Sequence, residues 1–162
     1  MNPLSIEAIN QRSPYVVWQD GDLISFTTAY GVDYSVSFDP DDNPHFPAYW
    51  FNLINRNQTK SPGDKKIPQT IICIMEEFFR QNPDILLYMC STAGDQQAQR
   101  ARLFLRWFNG YEQQRRYFIK ATPVRGEGLM EYVALIVQRS HPQLEAIISL
   151  FDAEIQMFNE NK

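Results

Sequence analysis

The stretch DILLYMC, residues 84–90, is apolar at every position after its aspartate. Asn82-Pro83 stands before it and the small polar run Ser91-Thr92-Ala93-Gly94 follows it. A strand with one face in water alternates apolar and polar residues, whereas a strand covered on both faces does not. The run therefore reads as a doubly buried strand, of the kind reached through a helical crossover from a parallel neighbour. The crossover is the segment after Pro68, where Ile71, Ile72, Met75, Phe78 and Phe79 share one helical face. Pro68 suits a first-turn position, and Asn82-Pro83 ends the run. The parallel neighbour is the aromatic segment near residues 46–55, within HFPAYWFNLINR.

Upstream, PYVVWQDGDLISFTTAYGVDYSVSF alternates on either side of Asp20-Gly21 and Tyr30-Gly31. Three antiparallel strands follow, at about 14–19, 22–28 and 32–38. DPDDNP breaks the pattern, and NQTKSPGDKK is the clearest loop. Downstream, Asp95, or Ser91 or Thr92 before it, can cap a helix running to about Asn109, with Gly110 placed to end it. RRYFIKA and LMEYVALIVQ read as strands joined by the turn-rich TPVRGEG. A last helix opens at SHPQ, where Ser140 and Gln143 have capping-box spacing, and Leu144, Ile147, Ile148, Phe151, Ile155 and Phe158 form its apolar stripe. The expected fold is α+β, in the order β-β-β-β-α-β-α-β-β-α. It is a mixed, mainly antiparallel sheet with an N-terminal β-meander and three helices, and residues 1–162 form a single domain.

Composition narrows the function classes. The chain is 44% hydrophobic and 14% aromatic, ordinary for a globular protein. No apolar run approaches a bilayer span and the start lacks a signal-peptide pattern, so a cytoplasmic protein without membrane association is expected. Cys73 and Cys90 lack metal-ligand spacing with His45 and His141, so neither a metal site nor a disulfide framework is expected. The net charge of −4 disfavours nucleic acid as a general partner. Its distribution is uneven: residues 1–64 carry three basic and eight acidic side chains, whereas residues 100–125 carry seven basic and one acidic. That basic region points to an anionic small molecule or an acidic protein as partner, and it also suits a solvated helix face. The oligomeric state is not fixed by the sequence.

Ligands of mixed sheets collect where parallel strands end. The candidate ligand residues are accordingly Ser91, Thr92 and Asp95 in the loop leaving residues 84–90, with Arg100 behind them. At about 100° per residue, Arg100 falls between Leu103 and Trp107 on one flank and Phe104 on the other, inside the apolar arc. A guanidinium there needs a carboxylate, carbonyls or a bound anion, unless it stacks on Trp107 with its head in water. Arg102 and Arg106 read as surface charge. Cys90 precedes the helix as in a C-x5-R phosphatase, but Gln96 stands where the phosphate-gripping arginine belongs, so no catalytic residue is assigned. KSPGDKK lacks the second glycine and the G-K-[ST] of a Walker loop. Asp41-Asp42 and Glu76-Glu77 read as solvated pairs, and the two histidines as structural.

From about residue 22 to 138 the order of elements resembles the core of the GNAT superfamily of acyl-CoA-dependent N-acyltransferases. AQRARLFLRWFNGY is similar to that family's A-x-x-L-Y helix, with Ala101, Leu103, Phe104 and Gly110 in comparable places. The resemblance implies a cofactor loop at KSPGDK, with Lys60 and Gly63 in the pyrophosphate-binding positions. Lys65 stands where that loop has a small residue, and Phe104 where many members have a proton-donating tyrosine. The implied protein is a degenerate member that requires no cofactor and acts as a binding or interaction module. An acyltransferase with an atypical site and a nucleic-acid adaptor using Arg102, Arg106, Arg115 and Arg116 are the alternatives, so enzyme status stays open. The strand end Tyr88-x-Cys90-Ser91-Thr92 and the run Arg102-Leu103-Phe104 also resemble small uncharacterised bacterial domain-of-unknown-function proteins, which implies no activity.

Overall fold

A computed structural model describes residues 1–57, 59, 62–91, 106, 113–125 and 130–160. Its elements are α1 (Ile6–Asn10), β1 (Val17–Asp20), β2 (Leu23–Thr27), β3 (Asp33–Pro40), β4 (Ala48–Asn55), α2 (Lys66–Gln81), β5 (Ile85–Ser91), α3 (Gln113–Arg116), β6 (Tyr117–Arg125), β7 (Met130–Gln138) and α4 (Leu144–Glu160). The strands form a seven-stranded sheet in the order β1-β2-β3-β4-β5-β7-β6. β5 is parallel to β4, with Ala48 opposite Ile85 and Trp50 opposite Leu87. It is antiparallel to β7. Ile85, Leu86, Leu87 and Tyr88 are all buried, so successive residues on both faces of β5 are covered. The fold is thus the mixed, mostly antiparallel α+β sheet expected, with α2 between the two parallel strands. Its order is only loosely comparable with that of the acyltransferase core. Helix α1, which the sequence reading passed over, precedes the meander; its signal was Ser5, whose hydroxyl accepts the Ala8 amide at 3.2 Å.

The described chain forms two compact units, one of Met1–Asp39 and Phe51–Pro83, the other of Pro40–Trp50 and Asp84–Lys162. In the first, aromatic side chains set the core. Phe26 stacks between Tyr15 and Tyr34, at centroid distances of 6.0 and 5.5 Å. Phe38 stacks on Phe78 of α2 at 5.0 Å and meets Phe51 edge-on. Gly21 and Gly31, at φ of +61° and +76°, turn the meander where a side chain would be strained. The outer strand β1 meets an amide rather than a further strand. Asn10 Oδ1 accepts the Val17 amide at 2.8 Å, and Asn10 Nδ2 donates to the Val17 carbonyl at 2.9 Å.

The N-terminal segment is tied to the end of α2. Asn82, 2% exposed, accepts the Asn2 amide at 2.7 Å and donates to the Phe78 carbonyl at 3.1 Å. Glu77 corrects the reading of Glu76-Glu77 as a solvated pair, because it is only 3% exposed. Its carboxylate accepts from Arg80 at 2.6 Å, Gln81 at 2.8 Å and the Ser5 amide at 3.4 Å. These are the i+3 and i+4 neighbours on α2 plus the cap of α1, so burial proceeds without an unpaired charge. Glu76 pairs with Arg12 at 3.0 Å.

In the second unit, Ala48, Ile85, Leu87, Val133, Leu135 and Val137 form an apolar sheet face that packs with Ile147 and Phe151 of α4. Lys120 of β6 holds Asp152 of α4 at 2.9 Å. β6 runs on through Arg125, so the first four residues of TPVRGEG are strand. Pro123, opposite Tyr132, is tolerated because β6 is the last strand of the sheet, where a missing amide breaks no ladder. The helix cap also differs from the Ser140–Gln143 expectation: His141 Nδ1 accepts the Gln143 amide at 3.0 Å. Among the described residues no helix is long and apolar enough to cross a membrane.

Two substitutions check this account by urea denaturation. Asn10→Ala leaves both polar groups of Val17 without their protein partner and should lower stability by about 1–3 kcal/mol. Phe78→Ala empties the aromatic stack and should cost about 3–5 kcal/mol.

Candidate functional site

The expected ligand loop begins where β5 ends, at Ser91. Ser91 lies opposite Glu131 on β7, and Cys90 opposite Tyr132. The fold therefore brings a carboxylate-bearing residue into register with the strand end, which residue spacing alone did not reveal. Thr92, Asp95 and Arg100 lie outside the described residues, as does Lys60. Arg106 is helical and exposed, in keeping with its reading as surface charge.

Gly63 is exposed in the segment before α2. A Cβ built on it meets no atom within 4 Å, so contacts within the protein do not require glycine there. The next residue organises the helix entry. Asp64 Oδ1 accepts the Lys66 amide at 2.9 Å, and the Asp64 carbonyl accepts the Ile67 amide at 3.2 Å. Its other carboxylate oxygen accepts from the Tyr15 hydroxyl, which in turn accepts the Ala29 amide at 3.2 Å. The Lys66 ammonium sits 5.8 Å from the centroid of the Tyr15 ring. Burial pushes the Tyr15 phenol above its ordinary range; the Ala29 amide opposes that shift and Asp64 reinforces it. An internal carboxylate thus already takes an amide of the first turn of α2, the place where a phosphate would otherwise profit from the helix dipole.

The second unit holds an apolar cleft of about 40 Å³. Ala48, Ile85, Leu87 and Leu135 form its floor, Ile147 and Phe151 of α4 one wall, and Asp41, Asn43 and Glu154 contribute its polar lining. At roughly 10–15 Å³ or more per water molecule, this is room for a small group. Asp41 is a structural staple and not the solvated turn residue expected. Its Oδ2 accepts from Asn43 Nδ2 at 2.9 Å and from the Asn43 amide at 3.2 Å, while Oδ1 accepts from Trp50 Nε1 at 3.0 Å. Asn43 repeats the motif, accepting the His45 and Phe46 amides at 3.1 and 3.0 Å. The signal was present in Asp41-Asp42-Asn43-Pro44, since Asp and Asn side chains bind amides two or three residues ahead. Burial acts to raise the Asp41 pKa, but the hydrogen bonds from Asn43 and Trp50 outweigh it and hold the carboxyl below its ordinary range. Cys73 is half-buried, and desolvation followed by the charge of Glu76 pushes its thiol up, away from nucleophilic chemistry.

The fold defines a class: an α+β protein with a mixed, mostly antiparallel sheet and a helical crossover between the parallel strands β4 and β5. The chain belongs to a family of unknown function, DUF6169, whose model matches residues 63–153. That span begins at Gly63, takes in α2 and β5 through β7, and ends within α4. No curated protein and no solved structure matches the chain.

Asp41 yields a pH prediction. Its carboxyl ionises at lower pH in the folded chain than in the unfolded one, so its contribution is complete above the ordinary value of 3.8 and disappears as pH falls through the depressed value. Asp41→Ala should lower stability at neutral pH by about 1–3 kcal/mol, through the unpaired Trp50 and Asn43 donors. The difference from wild type should shrink as the solution is acidified below that ordinary value, measured as unfolding midpoints across a pH series.

Proposed function

We propose that the protein is a non-catalytic binding module that takes an anionic ligand or an acidic partner at the loop leaving β5. In this reading Ser91, Thr92 and the amides before Asp95 present hydrogen-bond donors, and Arg100 supplies the positive charge behind them. The parallel pairing of β4 with β5 is the observation that carries it, because loops at the carboxyl ends of parallel strands are where such sheets receive ligands. Seven basic side chains between residues 100 and 125 add a favourable field. Glu131, in register with Ser91, makes the site selective: an anion binds only if Arg100 engages it rather than the protein's own carboxylate. The acyltransferase reading is weaker, since Asp64 already takes an amide at the start of α2 and would repel a pyrophosphate held at Lys60 and Gly63.

Calorimetric titration with inorganic phosphate, and separately with acetyl-CoA, tests this reading. Phosphate should bind wild type. Arg100→Ala should weaken it about tenfold or more, as loss of a charge-assisted contact does. Glu131→Gln should bind at least as tightly as wild type. Equal binding by wild type and Arg100→Ala, with unchanged unfolding, overturns the reading. Binding and turnover of acetyl-CoA would replace it with the enzyme.

A further inference from the structure

The cleft beneath α4 is apolar inside and acidic at its mouth. Ala48, Ile85, Leu87 and Leu135 make its floor, and each is at most 7% exposed. Two carboxylates from different elements stand over that floor, half-buried Asp41 from the segment before β4 and exposed Glu154 from α4. The donors that hold Asp41 are the Asn43 amide, Asn43 Nδ2 and Trp50 Nε1. All three are neutral, so the negative charge of the carboxylate stands uncancelled. Among the described lining residues there is no basic side chain. Lys120 is engaged elsewhere: it holds Asp152, which at about 100° per residue lies on the flank of α4 opposite Glu154.

A volume of about 40 Å³ holds about three water molecules, each of which takes about 30 Å³ in the liquid, so an alkyl group of about four carbons fills it. The floor's side chains offer such water no polar partner, and an alkyl group that displaces it gains apolar contact. A positive head on that alkyl group faces both carboxylates, whereas an anion is repelled by them. We infer that this cleft binds a small aliphatic ammonium ion, its alkyl group on Ala48, Leu87 and Leu135 and its charge between Asp41 and Glu154. The site is separate from the loop at Ser91 and calls for the opposite sign of charge. A further apolar patch lies on the same flank of α4. Lys120, opposite Leu135, holds Asp152, and Pro123, opposite Tyr132, accepts from Asn159, so α4 runs from the level of Leu87 toward that of Cys90. Met157, 61% exposed, follows Leu150 and Glu154 along the helix and comes level with Met89, 43% exposed, which shares the sheet face of Leu87. These methionines are open surface, so a ligand seated in the cleft is distinguishable from one adhering to them.

The test is NMR of the full chain, titrated at neutral pH with isobutylamine, which is then an ammonium ion. Isobutanol and isobutyrate serve in parallel as a neutral and a negative head on a similar branched chain. Isobutylammonium should move the amide signals of Ala48, Leu87 and Leu150 saturably, in the millimolar range open to so small a ligand. Methylammonium, which has the charge without the chain, should bind about tenfold more weakly or less. Glu154→Gln should weaken isobutylammonium about threefold and Glu154→Lys about tenfold. The position is exposed, so both variants should unfold as wild type does. Isobutanol or isobutyrate binding as tightly as the ammonium ion overturns the proposal. So does unchanged affinity in Glu154→Lys, or the absence of saturable shifts in the millimolar range. Shifts confined to Met89 and Met157 overturn it in favour of surface adherence. Cleft shifts produced by raising the protein concentration alone overturn it in favour of a second copy of the chain.

Discussion

Parallel pairing of β4 with β5 is the constraint from which the rest of the architecture follows. Two parallel strands cannot be joined by a hairpin, so the chain must leave the sheet, cross it and return. Residues 56–84 perform that task, and their amphipathic middle becomes α2. Once β5 enters beside β4, its other edge is open to β7, which pairs with it through Leu86–Ser91 and is flanked in turn by β6. β5 then has a strand on each side, and the buried residues on both of its faces are the energetic counterpart of that position.

Much of this architecture was legible in the sequence, because the signals were periodic. DILLYMC lacks alternation and became the doubly covered strand; the meander alternates and became β1 to β3, with Gly21 and Gly31 at its turns. Side-chain hydrogen bonding was harder to read. Glu77 looks like one of two surface acids until α1 and the i+3 and i+4 positions of α2 are placed around it. Asp41 looks like turn chemistry until Trp50 arrives from β4. His141, set aside as structural, proved to be the cap that Ser140 was expected to provide. Trp50 and the Ser5 amide are partners whose position only the fold determines, whereas the Asp41–Asn43, His141–Gln143 and Glu77–Arg80 bonds are local, and a closer reading of those spacings would have found them. Of the candidate site, the sequence named the strand end at Ser91, and the fold added Glu131 across the ladder.

Charge placement divides the molecule's electrostatics into two kinds. At the first unit's helices, at Lys120 and at Asp64, charged groups are consumed by neighbours and serve cohesion. At the junction of α3 with β6, Arg115 and Arg116 are exposed. The same residue type thus has different settings in one chain: Arg80 over buried Glu77 satisfies a carboxylate the core would otherwise reject, whereas Arg115 and Arg116 make no ion pair among the described residues. Counting basic residues along the sequence merges these cases, and ladder register separates them.

The two margins of the sheet end by unrelated chemical means. At β1 a carboxamide imitates the next strand, supplying one donor and one acceptor to Val17. At β6 the imino acid Pro123 withholds a donor. A sheet finished in this way is a poor template for cross-β growth, since a newcomer finds one rim already occupied and the other interrupted. Protection of the sheet's rims against strand addition thus rests on Asn10 at one margin and Pro123 at the other.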